Sequence, residues 1–506
     1  MKLPVQFETV AAVPVGMVSP STAQAVARAL ASARAAQKNW VATPLAARLK
    51  IIRRIRALIA EQAEPLAHAA NHARRRPLAE ILTAEVLPLA DACRFLERAA
   101  EKILRPKKIG SRGRPLWLGR IHSEIHRAPL GVILVIGPGN YPLFLPCVQA
   151  LQALAAGNAM LLKPGLGGTP AADAFVQICL QAGLDENLIH VLTESPAAAS
   201  AAIQAGVDKV VLTGSATTGE AVLQACAKNL TPATVELSGC DAVFLRADAD
   251  LDLVVRALAF GLRLNGSATC IAPRRVFVPS SLATELEGRL AQHFQNVREP
   301  GFAVAVNPNL SLRATQALAD GAHLVAGKIS AEGRLHAPLI FAGVKPVMRL
   351  AQADMFSPVL SLITIASDDE ALEFSTHCPY ALGATIFSRD EAAARALAGR
   401  VRAGVVLIND MIAPTADPRL PFGGRGRSGF GVTRGAEGLL EMTAPKIFMI
   451  RRGASRPHFD EPHPADAALF TAYIRAAHTC GWRNHIAALR NLFSALKQRT
   501  INPKSL

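Results

Sequence analysis

The sequence predicts an α/β fold built around a doubly wound parallel sheet. Short apolar runs alternate with helix-like segments between residues 131 and 237, which is the pattern of strands joined by crossover helices. Half of the residues are hydrophobic and only 19% are charged, enough to fill large cores. A length of 506 residues fits two or three domains.

The first hundred residues predict a layer of helices that covers the sheet. Ser21 or Thr22 is the expected N-cap of the first helix, because their hydroxyl groups can accept a backbone N–H. Pro88 predicts a break or kink in the last helix, since proline cannot donate to the preceding turn. The predicted helices cover about residues 21–39, 44–62, 65–75 and 78–102.

Five buried strands follow, and polar residues stand where most of them end. The predicted strands cover 131–136, 159–162, 189–192, 209–213 and 233–237. Doubly wound sheets bind ligands at the carboxyl ends of their strands. Asn140, Lys163, Gly214, Ser215 and Glu236 all fall at such ends. The sequence therefore predicts that these residues share one site.

The turn from Gly214 to Gly219 has the spacing GSxxxG rather than the dinucleotide fingerprint GxGxxG. It still presents backbone N–H groups at a predicted helix N-terminus, an arrangement that suits a phosphate. Glycine is also the default turn residue, so the turn alone is weak evidence. Lys163 could bind a ribose hydroxyl or a phosphate, and the alternative is a solvated lysine.

Cys270 is the candidate nucleophile. The eight cysteines are scattered without a CxxC pair, which indicates neither a zinc cluster nor a disulfide framework. A free cysteine is usually a small buried residue, so Cys270 needs support from the rest of the site. Its thiol could attack a carbonyl carbon while the Asn140 amide and its own N–H stabilise the oxyanion. Glu236 could then activate water against the resulting thioester. The alternatives are a capping role for Asn140 and a surface ion pair for Glu236.

From about residue 20 to 452 the chain resembles the NAD(P)-dependent aldehyde dehydrogenase superfamily. The motifs occur in the order of that family. They are PLGVILVIGPGNYPL (129–143), AAGNAMLLKPG (155–165), LTGSATTGE (212–220), VELSGCDA (235–242), NGSATCIAPRRVFV (265–278), FSPVL (356–360), YALGATIF (380–387) and PFGGRGRSGFG (421–431).

The resemblance implies a role for each candidate residue. Cys270 is the implied nucleophile, Glu236 the general base and Asn140 an oxyanion-hole donor. NAD or NADP is the implied cofactor. Its implied contacts are Lys163 on the ribose, Gly214, Ser215 and Gly219 near the pyrophosphate, Asp354 on the nicotinamide ribose and Phe356 near the nicotinamide riboside.

Several positions depart from the family pattern. Gly139 replaces a tryptophan, and Ser267-Ala268 replaces a Gly-Gln pair before the cysteine. Asp354 is shorter than the usual glutamate. Leu166 replaces the glutamate that holds the adenosine ribose diol and repels a 2′-phosphate, so the choice between NAD and NADP stays open. The segment GNYPLFLP is similar to the branch of this family that acts on fatty and aromatic aldehydes.

The resemblance also implies a domain organisation. Residues 1–110 and 129–237 form an NAD(P)-binding domain with N-terminal helices, and 238–439 form an α/β catalytic domain. Residues 111–128 and 440–452 form a small β arm that pairs with a second subunit, so a homodimer or homotetramer is expected. Residues 453–506 form a basic amphipathic extension beyond the family resemblance.

The extension carries five apolar residues at 4-3-4-3 spacing, which places them on one stripe of a helix. From Ala467 onward it has no acidic residue. One hypothesis is a helix packed on its own or a partner subunit, and the other is an interfacial helix on anionic membrane. The five stripe residues are Trp482, Ile486, Leu489, Phe493 and Leu496.

The net charge of +16 attracts anionic partners, but a solvated basic surface is the favoured explanation and no nucleic acid is expected. The N-terminus lacks the apolar block of a signal peptide, so we expect a cytoplasmic protein, with peripheral membrane contact as the variant. The predicted activity is oxidation of an aldehyde to a carboxylic acid. The alternatives are a CoA-acylating dehydrogenase or acyl reductase, and a catalytically retired structural or binding protein on the same fold.

Overall fold

The computed structural model describes residues 19–71, 76–295, 308–329, 335–454 and 456–501. These residues fall into two compact units. The first lies within Met1–Lys107 and Ile125–Ile447, and the second within Lys108–Glu124 and Phe448–Leu506. The end of the predicted helix 65–75 and residues 502–506 of the extension lie outside the described residues.

The strands are short and most of them are buried. In chain order they are β1 Lys107–Ile109, β2 Ile121–Pro129, β3 Val132–Ile136, β4 Ala159–Lys163, β5 Ile189–Val191, β6 Lys209–Gly214, β7 Ala233–Leu237, β8 Asp241–Leu245, β9 Pro273–Pro279, β10 His323–Ile329, β11 Leu335–Ala342, β12 Val359–Ile365, β13 Tyr380–Ala381, β14 Gly383–Phe387, β15 Val405–Ile408, β16 Arg425–Gly426, β17 Gly429–Phe430 and β18 Thr443–Arg451.

The helices alternate with these strands through most of the first unit. In chain order they are α1 Pro20–Ala42, α2 Leu45–Glu61, α3 Ala63–Ala70, α4 Leu78–Ile81, α5 Leu87–Leu104, α6 Phe144–Ala156, α7 Thr169–Gln181, α8 Pro196–Gln204, α9 Ala216–Asn229, α10 Leu251–Arg263, α11 Ser280–Phe294, α12 Pro308–Ala319, α13 Asp368–Ser375, α14 Glu391–Ala398, α15 Gly435–Glu441, α16 Asp466–His478 and α17 Trp482–Ile501.

The predicted parallel sheet is present and has the order β17-β7-β6-β3-β4-β5. All of its strands pair in parallel except β17, which adds to the edge of β7 in the antiparallel direction. Every residue of β3 and β4 is buried, as expected for strands covered by helices on both faces. In the register Ile136 faces Lys163 and Gly214 faces Leu237, so the carboxyl ends meet at one edge.

A second sheet has the order β10-β11-β12-β9-β8-β14-β15. It is parallel except for the β10–β11 pair. Two apolar clusters line it, one of them including Phe244, Phe277 and Phe341. The segment around Cys270 connects α10 to β9 and therefore enters this sheet at its amino edge.

The N-terminal helices follow the prediction with two differences. The N-cap of α1 is Ser19 rather than Ser21 or Thr22, because the Ser19 hydroxyl accepts the N–H of Thr22 and Pro20 begins the helix. The predicted break near Pro88 takes the form of a π-helical turn over Leu82–Val86. Pro88 then stands in the first turn of α5, directly after the π-helical turn.

A separate three-stranded sheet has the order β1-β2-β18. In the second unit, α16 and α17 pack together through Leu469, Ala472 and Ala495, so the predicted helical extension is a pair of helices. We call this pair, residues 466–501, the C-terminal hairpin. Within the part of the chain that the structure describes, no helix is both long and apolar enough to cross a membrane.

Candidate active site

The backbone before Cys270 is unusually shaped. After α10, three successive residues have positive φ angles: Asn265 at 53°, Gly266 at 57° and Ser267 at 64°. A left-handed conformation costs about 1 kcal/mol or more in residues with a side chain, so the surroundings must hold it. Cys270 follows this turn and is half-buried. We call residues 264–275 the cysteine loop.

A buried arginine holds the strained turn. The Arg274 guanidinium donates to the Ser267 hydroxyl and to the Ser267 carbonyl oxygen, both at 2.6 Å. Its Nε donates to Asp354 Oδ1 at 2.8 Å, in an ion pair whose side chains are almost fully buried. These bonds give the Ser267 departure a physical function, because its hydroxyl compensates for the cost of a positive φ.

Asp354 therefore has a structural function, because it holds Arg274 in place. Its Oδ1 accepts the backbone N–H of Phe356 at 2.8 Å as well as the Arg274 bond. Burial raises the pKa of the Asp354 carboxyl, and the Arg274 charge opposes that shift. Its Oδ2 is buried and has no hydrogen-bond partner among the residues that the structure describes. Phe356 lies beside it, partly exposed and with a φ of 46°.

The structure brings Asn140 to the cysteine loop. Its Nδ2 donates to the Ala268 carbonyl oxygen at 2.9 Å, and Asn265 Nδ2 donates to the Asn140 carbonyl oxygen at 2.9 Å. The neighbouring Tyr141 hydroxyl bonds with Thr269 Oγ1 at 2.7 Å. Because an amide nitrogen carries two hydrogens, Asn140 retains one donor for another oxygen. Its role in an oxyanion hole stays a prediction with compatible geometry.

Glu236 lies near the end of β7 and is fully buried. Its Oε2 accepts the Thr433 hydroxyl at 3.0 Å, while Oε1 is buried and has no hydrogen-bond partner within the described part of the chain. Burial raises the pKa of the Glu236 carboxyl, and Arg434 and the Thr433 bond lower it. A buried carboxyl with one free oxygen and a raised pKa has the properties of a general base. This excludes the solvated surface ion pair considered from the sequence.

Glycines allow two close backbone approaches around these groups. A Cβ on Gly429, whose φ is 95°, would lie 1.9 Å from the Val235 carbonyl oxygen, so β17 can pair with β7 only through glycine there. A Cβ on Gly239 would lie 2.3 Å from the Cys270 carbonyl oxygen. The segment after Glu236 therefore packs directly on the cysteine backbone.

Several acidic groups act on the Cys270 thiol. Burial raises its pKa well above the ordinary range, and the nearby carboxyls of Glu236, Asp241 and Asp354 raise it further. The Arg434 charge acts in the opposite direction. These effects favour the protonated thiol over the thiolate.

Four of the six expected cofactor residues follow the carboxyl edge of the first sheet, whereas Asp354 and Phe356 precede β12 of the second sheet. Lys163 ends β4 and is largely buried, and burial lowers the pKa of its amine against the opposing charge of Glu194. Gly214 ends β6, and Ser215 caps α9 by accepting the Thr218 N–H at 3.1 Å. Gly219 faces the Leu237 side chain, which a Cβ would meet at 2.7 Å. The smallness of Gly219 thus serves the packing of α9 on β7.

Glu194 is a carboxylate at this edge that the sequence analysis missed. It follows β5 and accepts bonds from Gly167 N at 2.8 Å and from the N and Oγ1 of Thr169 at 3.0 and 2.7 Å. These bonds lower the pKa of the Glu194 carboxyl, and the bond from the Gly167 N–H has the largest effect. Leu166, at the position of the expected glutamate, is 84% exposed. The strand-end rule that singled out Lys163 would also have found Glu194.

Glu85 and Arg434 were also missed, and neither has a strand-end signal. Glu85 is fully buried on the π-helical turn and accepts the N–H groups of Leu143 and Phe144 at 2.8 and 3.2 Å, which fixes the start of α6 beside Asn140. Arg434 is buried after the glycine-rich stretch and lies near both Glu236 and Cys270. Only the tertiary structure brings these residues to the site.

Comparisons with known proteins agree with this fold. A sequence profile of the Aldehyde dehydrogenase family matches residues 6–448. The chain is 28% identical over 425 residues to the 4,4'-diapolycopene aldehyde oxidase of Methylomonas sp, covering 82% of this chain and 80% of that protein. An NAD-dependent aldehyde dehydrogenase from Sinorhizobium meliloti superposes with a TM-score of 0.80 at 26% identity, covering 87% of this chain and 89% of that one. Succinic semialdehyde dehydrogenase from Streptococcus pyogenes, in complex with NADP+, gives a TM-score of 0.77 at 25% identity, with 85% and 95% covered.

Proposed function

The chain belongs to the aldehyde dehydrogenase family, and we propose that it oxidises an apolar aldehyde to the carboxylic acid through a covalent bond to Cys270. The observation that carries this proposal is the meeting of three groups at one site: a half-buried thiol, an amide donor bonded to its loop and a buried carboxyl with a free oxygen. Together they are the parts needed to form, stabilise and hydrolyse a thioester.

In the proposed first stage the Cys270 thiol gives its proton to solvent, and the resulting thiolate sulfur attacks the aldehyde carbon. The carbonyl oxygen becomes negative as the C–S bond forms, and the free hydrogen of Asn140 Nδ2 and the Cys270 N–H stabilise it. The family's nicotinamide cofactor, NAD or NADP, supplies the acceptor for the hydride that leaves this carbon. The product bound to Cys270 is a thioester.

In the proposed second stage Glu236 takes a proton from water, which attacks the thioester carbon and releases the acid and the thiol. The buried Oε1 can accept this proton, since its partner Oε2 is held by Thr433. A CoA-acylating enzyme needs no such base at this stage. Glu236 therefore favours hydrolysis over transfer to CoA.

The residues along the strand ends fit a dinucleotide. Lys163 and the first N–H groups of α9 beside Gly214 and Ser215 offer positive and donor groups for ribose and phosphate oxygens. The free Oδ2 of Asp354 offers an acceptor for a ribose hydroxyl. We expect measurable activity with both NAD and NADP, because Leu166 supplies no carboxylate against a 2′-phosphate. A preference for NAD above about a thousandfold, ~4 kcal/mol, would contradict this expectation.

An apolar substrate is favoured by one relative and by one motif. The relative from Methylomonas sp is named for 4,4'-diapolycopene aldehyde. The motif GNYPLFLP, which precedes and begins α6, is similar to the branch of the family that acts on fatty and aromatic aldehydes.

The direct experiment is cofactor reduction by the purified protein across a panel of aldehydes, with NAD or NADP and with or without CoA. We expect long-chain and aromatic aldehydes to give the highest kcat/KM, and CoA to have no effect. Reduction that requires CoA would support the acylating alternative. No reduction with any aldehyde would reject the proposed oxidation.

We also propose that the C-terminal hairpin contacts anionic membrane. Large apolar side chains remain exposed on both helices, among them Phe470 at 59%, Trp482 at 70% and Phe493 at 65%. Arg483, Arg490 and Lys497 stand one residue after positions of the apolar stripe, so basic groups run beside it. A second copy of this chain has the same net charge of +16, whereas an anionic lipid surface has the complementary charge.

Flotation with vesicles tests this contact. Full-length protein is expected to float with phosphatidylserine-containing vesicles at low salt and not with phosphatidylcholine vesicles. A chain lacking residues 465–506 should not float. If the full-length protein ignores both vesicles and truncation dissociates an oligomer, the hairpin packs on a subunit instead.

The exposed strand β18 supports a homo-oligomer. Ile447, Met449 and Ile450 are each more than half exposed, an unusual pattern for consecutive apolar residues of a strand. We propose that a second subunit covers them, and light scattering of the purified protein measures whether a dimer or a tetramer forms. A monomer at micromolar concentration would contradict this proposal.

A further inference from the structure

Arg434 occupies an unusual place for a guanidinium. It is 5% exposed and its φ is 61°. Its guanidinium carbon lies 4.5 Å from the ring centre of Phe422 and 5.6 Å from that of Phe144. Nη1 donates to the Thr415 carbonyl oxygen at 2.5 Å, while Nε is buried and no described residue bonds with it. No carboxylate forms a direct ion pair with it among the described residues, so its charge is available to the neighbouring site.

The other titratable groups near Cys270 determine which negative charges the Arg434 guanidinium offsets. Asp354 is already compensated by Arg274. Burial raises the pKa of Asp241 to about 8, so this carboxyl is mainly protonated at neutral pH. Among the described groups that act on Cys270, this leaves the Glu236 carboxyl and the thiol itself as the two that can carry uncompensated negative charge. Burial also raises the pKa of the nearby Tyr141 hydroxyl.

Resting on the proposed function, we propose that Arg434 is a positioning residue whose fixed charge lets the Cys270 thiolate form while Glu236 remains a carboxylate. Two negative charges in a buried site repel each other strongly, and a nearby cation offsets that repulsion. The direction of each interaction agrees, because Arg434 lowers the pKa of both the thiol and the carboxyl.

Neighbouring contacts explain how the charge is kept in place. The adjoining Thr433 donates to Glu236 through its hydroxyl and pairs with Phe422 through its backbone. The Phe422 ring in turn stacks on the Arg434 guanidinium. Planar stacking holds an arginine without neutralising it, so the charge keeps its effect on the site.

The test is the pH dependence of Cys270 alkylation by iodoacetamide, followed on the Cys270 peptide by mass spectrometry. Iodide leaves as the C–S bond forms, and the thiol proton passes to solvent, so the rate reports the thiolate. We expect Arg434→Met to raise the midpoint by about one pH unit or more, a tenfold lower rate at neutral pH. Arg434→Lys keeps the charge and should stay within about half a unit of the wild type.

The matched control is Arg48→Met, which removes a half-buried guanidinium that donates to the Ala155 carbonyl oxygen on α6. It should keep the wild-type midpoint. Arg434→Gln is a second neutral variant that can still donate to Thr415 if the methionine variant does not fold. A midpoint unchanged in a folded neutral variant would overturn the role of Arg434.

The two proposals can fail separately. If the wild type oxidises no aldehyde but the neutral variants shift the alkylation midpoint, the oxidation is wrong and the charge coupling is right. If aldehydes are oxidised and the midpoint does not move, only the inference about Arg434 is wrong.

Discussion

The cysteine loop and the C-terminal hairpin differ in how their side chains are satisfied. Polar side chains in and around the loop are bonded within the protein: Asn140 to Ala268, Tyr141 to Thr269 and Arg274 to both Ser267 and Asp354. In the hairpin, Trp482 and Phe493 point large apolar surfaces outward. The loop is organised before any ligand arrives, whereas the hairpin has apolar surface that needs an external partner.

The largest effect is expected from the loop. Cys270→Ala should lower aldehyde oxidation by about a thousandfold or more, because no thioester can form. Cofactor binding, followed by fluorescence titration, should not change, since the strand ends are untouched. Cys480→Ala, at an exposed cysteine of the hairpin, is the control and should retain activity. Normal turnover in Cys270→Ala would place the nucleophile elsewhere.

The next effect separates the two stages of the reaction. Glu236→Gln should retain one burst of cofactor reduction and slow later turnovers by about a hundredfold or more, as deacylation needs the base. In the wild type the carboxylate exists only above a raised pKa. Steady-state turnover should therefore fall as the pH drops through that value, which lies above the ordinary carboxyl range. Stopped-flow kinetics measures both, and loss of the burst would mean that Glu236 acts earlier.

Substitutions in the hairpin should change the binding to vesicles rather than catalysis. Replacing Trp482 and Phe493 together by serine removes apolar surface worth about 2 kcal/mol per aromatic ring when buried. Binding to anionic vesicles should weaken tenfold or more, while kcat/KM for a short, water-soluble aldehyde stays the same. Asn491→Ser is a control at an exposed polar position of the same helix. If the double variant binds anionic vesicles as tightly as the wild type, the exposed aromatic rings do not contact the membrane and the contrast with the loop fails.

A smaller effect is expected at Glu194, which shares the cofactor edge with Lys163. Glu194→Gln removes a negative charge and should shift the ratio of kcat/KM values toward NADP by about fivefold. Glu186→Gln, on the segment before β5, is a charge-matched control. A ratio that moves toward NAD, or does not move, would show that Glu194 serves only to cap α7.

The smallest effect concerns the strained turn. Ser267→Gly relieves the positive φ but loses the bond from Arg274, so we expect a net loss of about 1 kcal/mol. Ser267→Ala keeps the strain and loses the bond, and should therefore be less stable than the glycine variant. Thermal unfolding of the two variants orders them. A glycine variant more stable than the wild type would show that the hydroxyl bond contributes little.

How much could be predicted differs between the strand ends and the rest of the site. The alternation of apolar runs and helices predicted the parallel sheet, and the strand-end rule placed Asn140, Lys163 and Glu236 at one edge. The same rule applied to β5 would have found Glu194. The N-cap at Ser19 and the π-helical turn before Pro88 were not predicted, because such local choices depend on packing and on single hydrogen bonds.

The sequence by itself therefore determined the fold class, and it predicted a nucleophile and a sheet edge for the site, since periodicity and strand ends are properties of nearby residues. Tertiary structure alone decided which charges meet there. Arg434 is nearly two hundred residues from Glu236 in the chain, and it lies beside it because β17 pairs with β7. Arg274 and Asp354 form a buried pair across eighty residues. Such contacts depend on burial and distance in space, which no local pattern records.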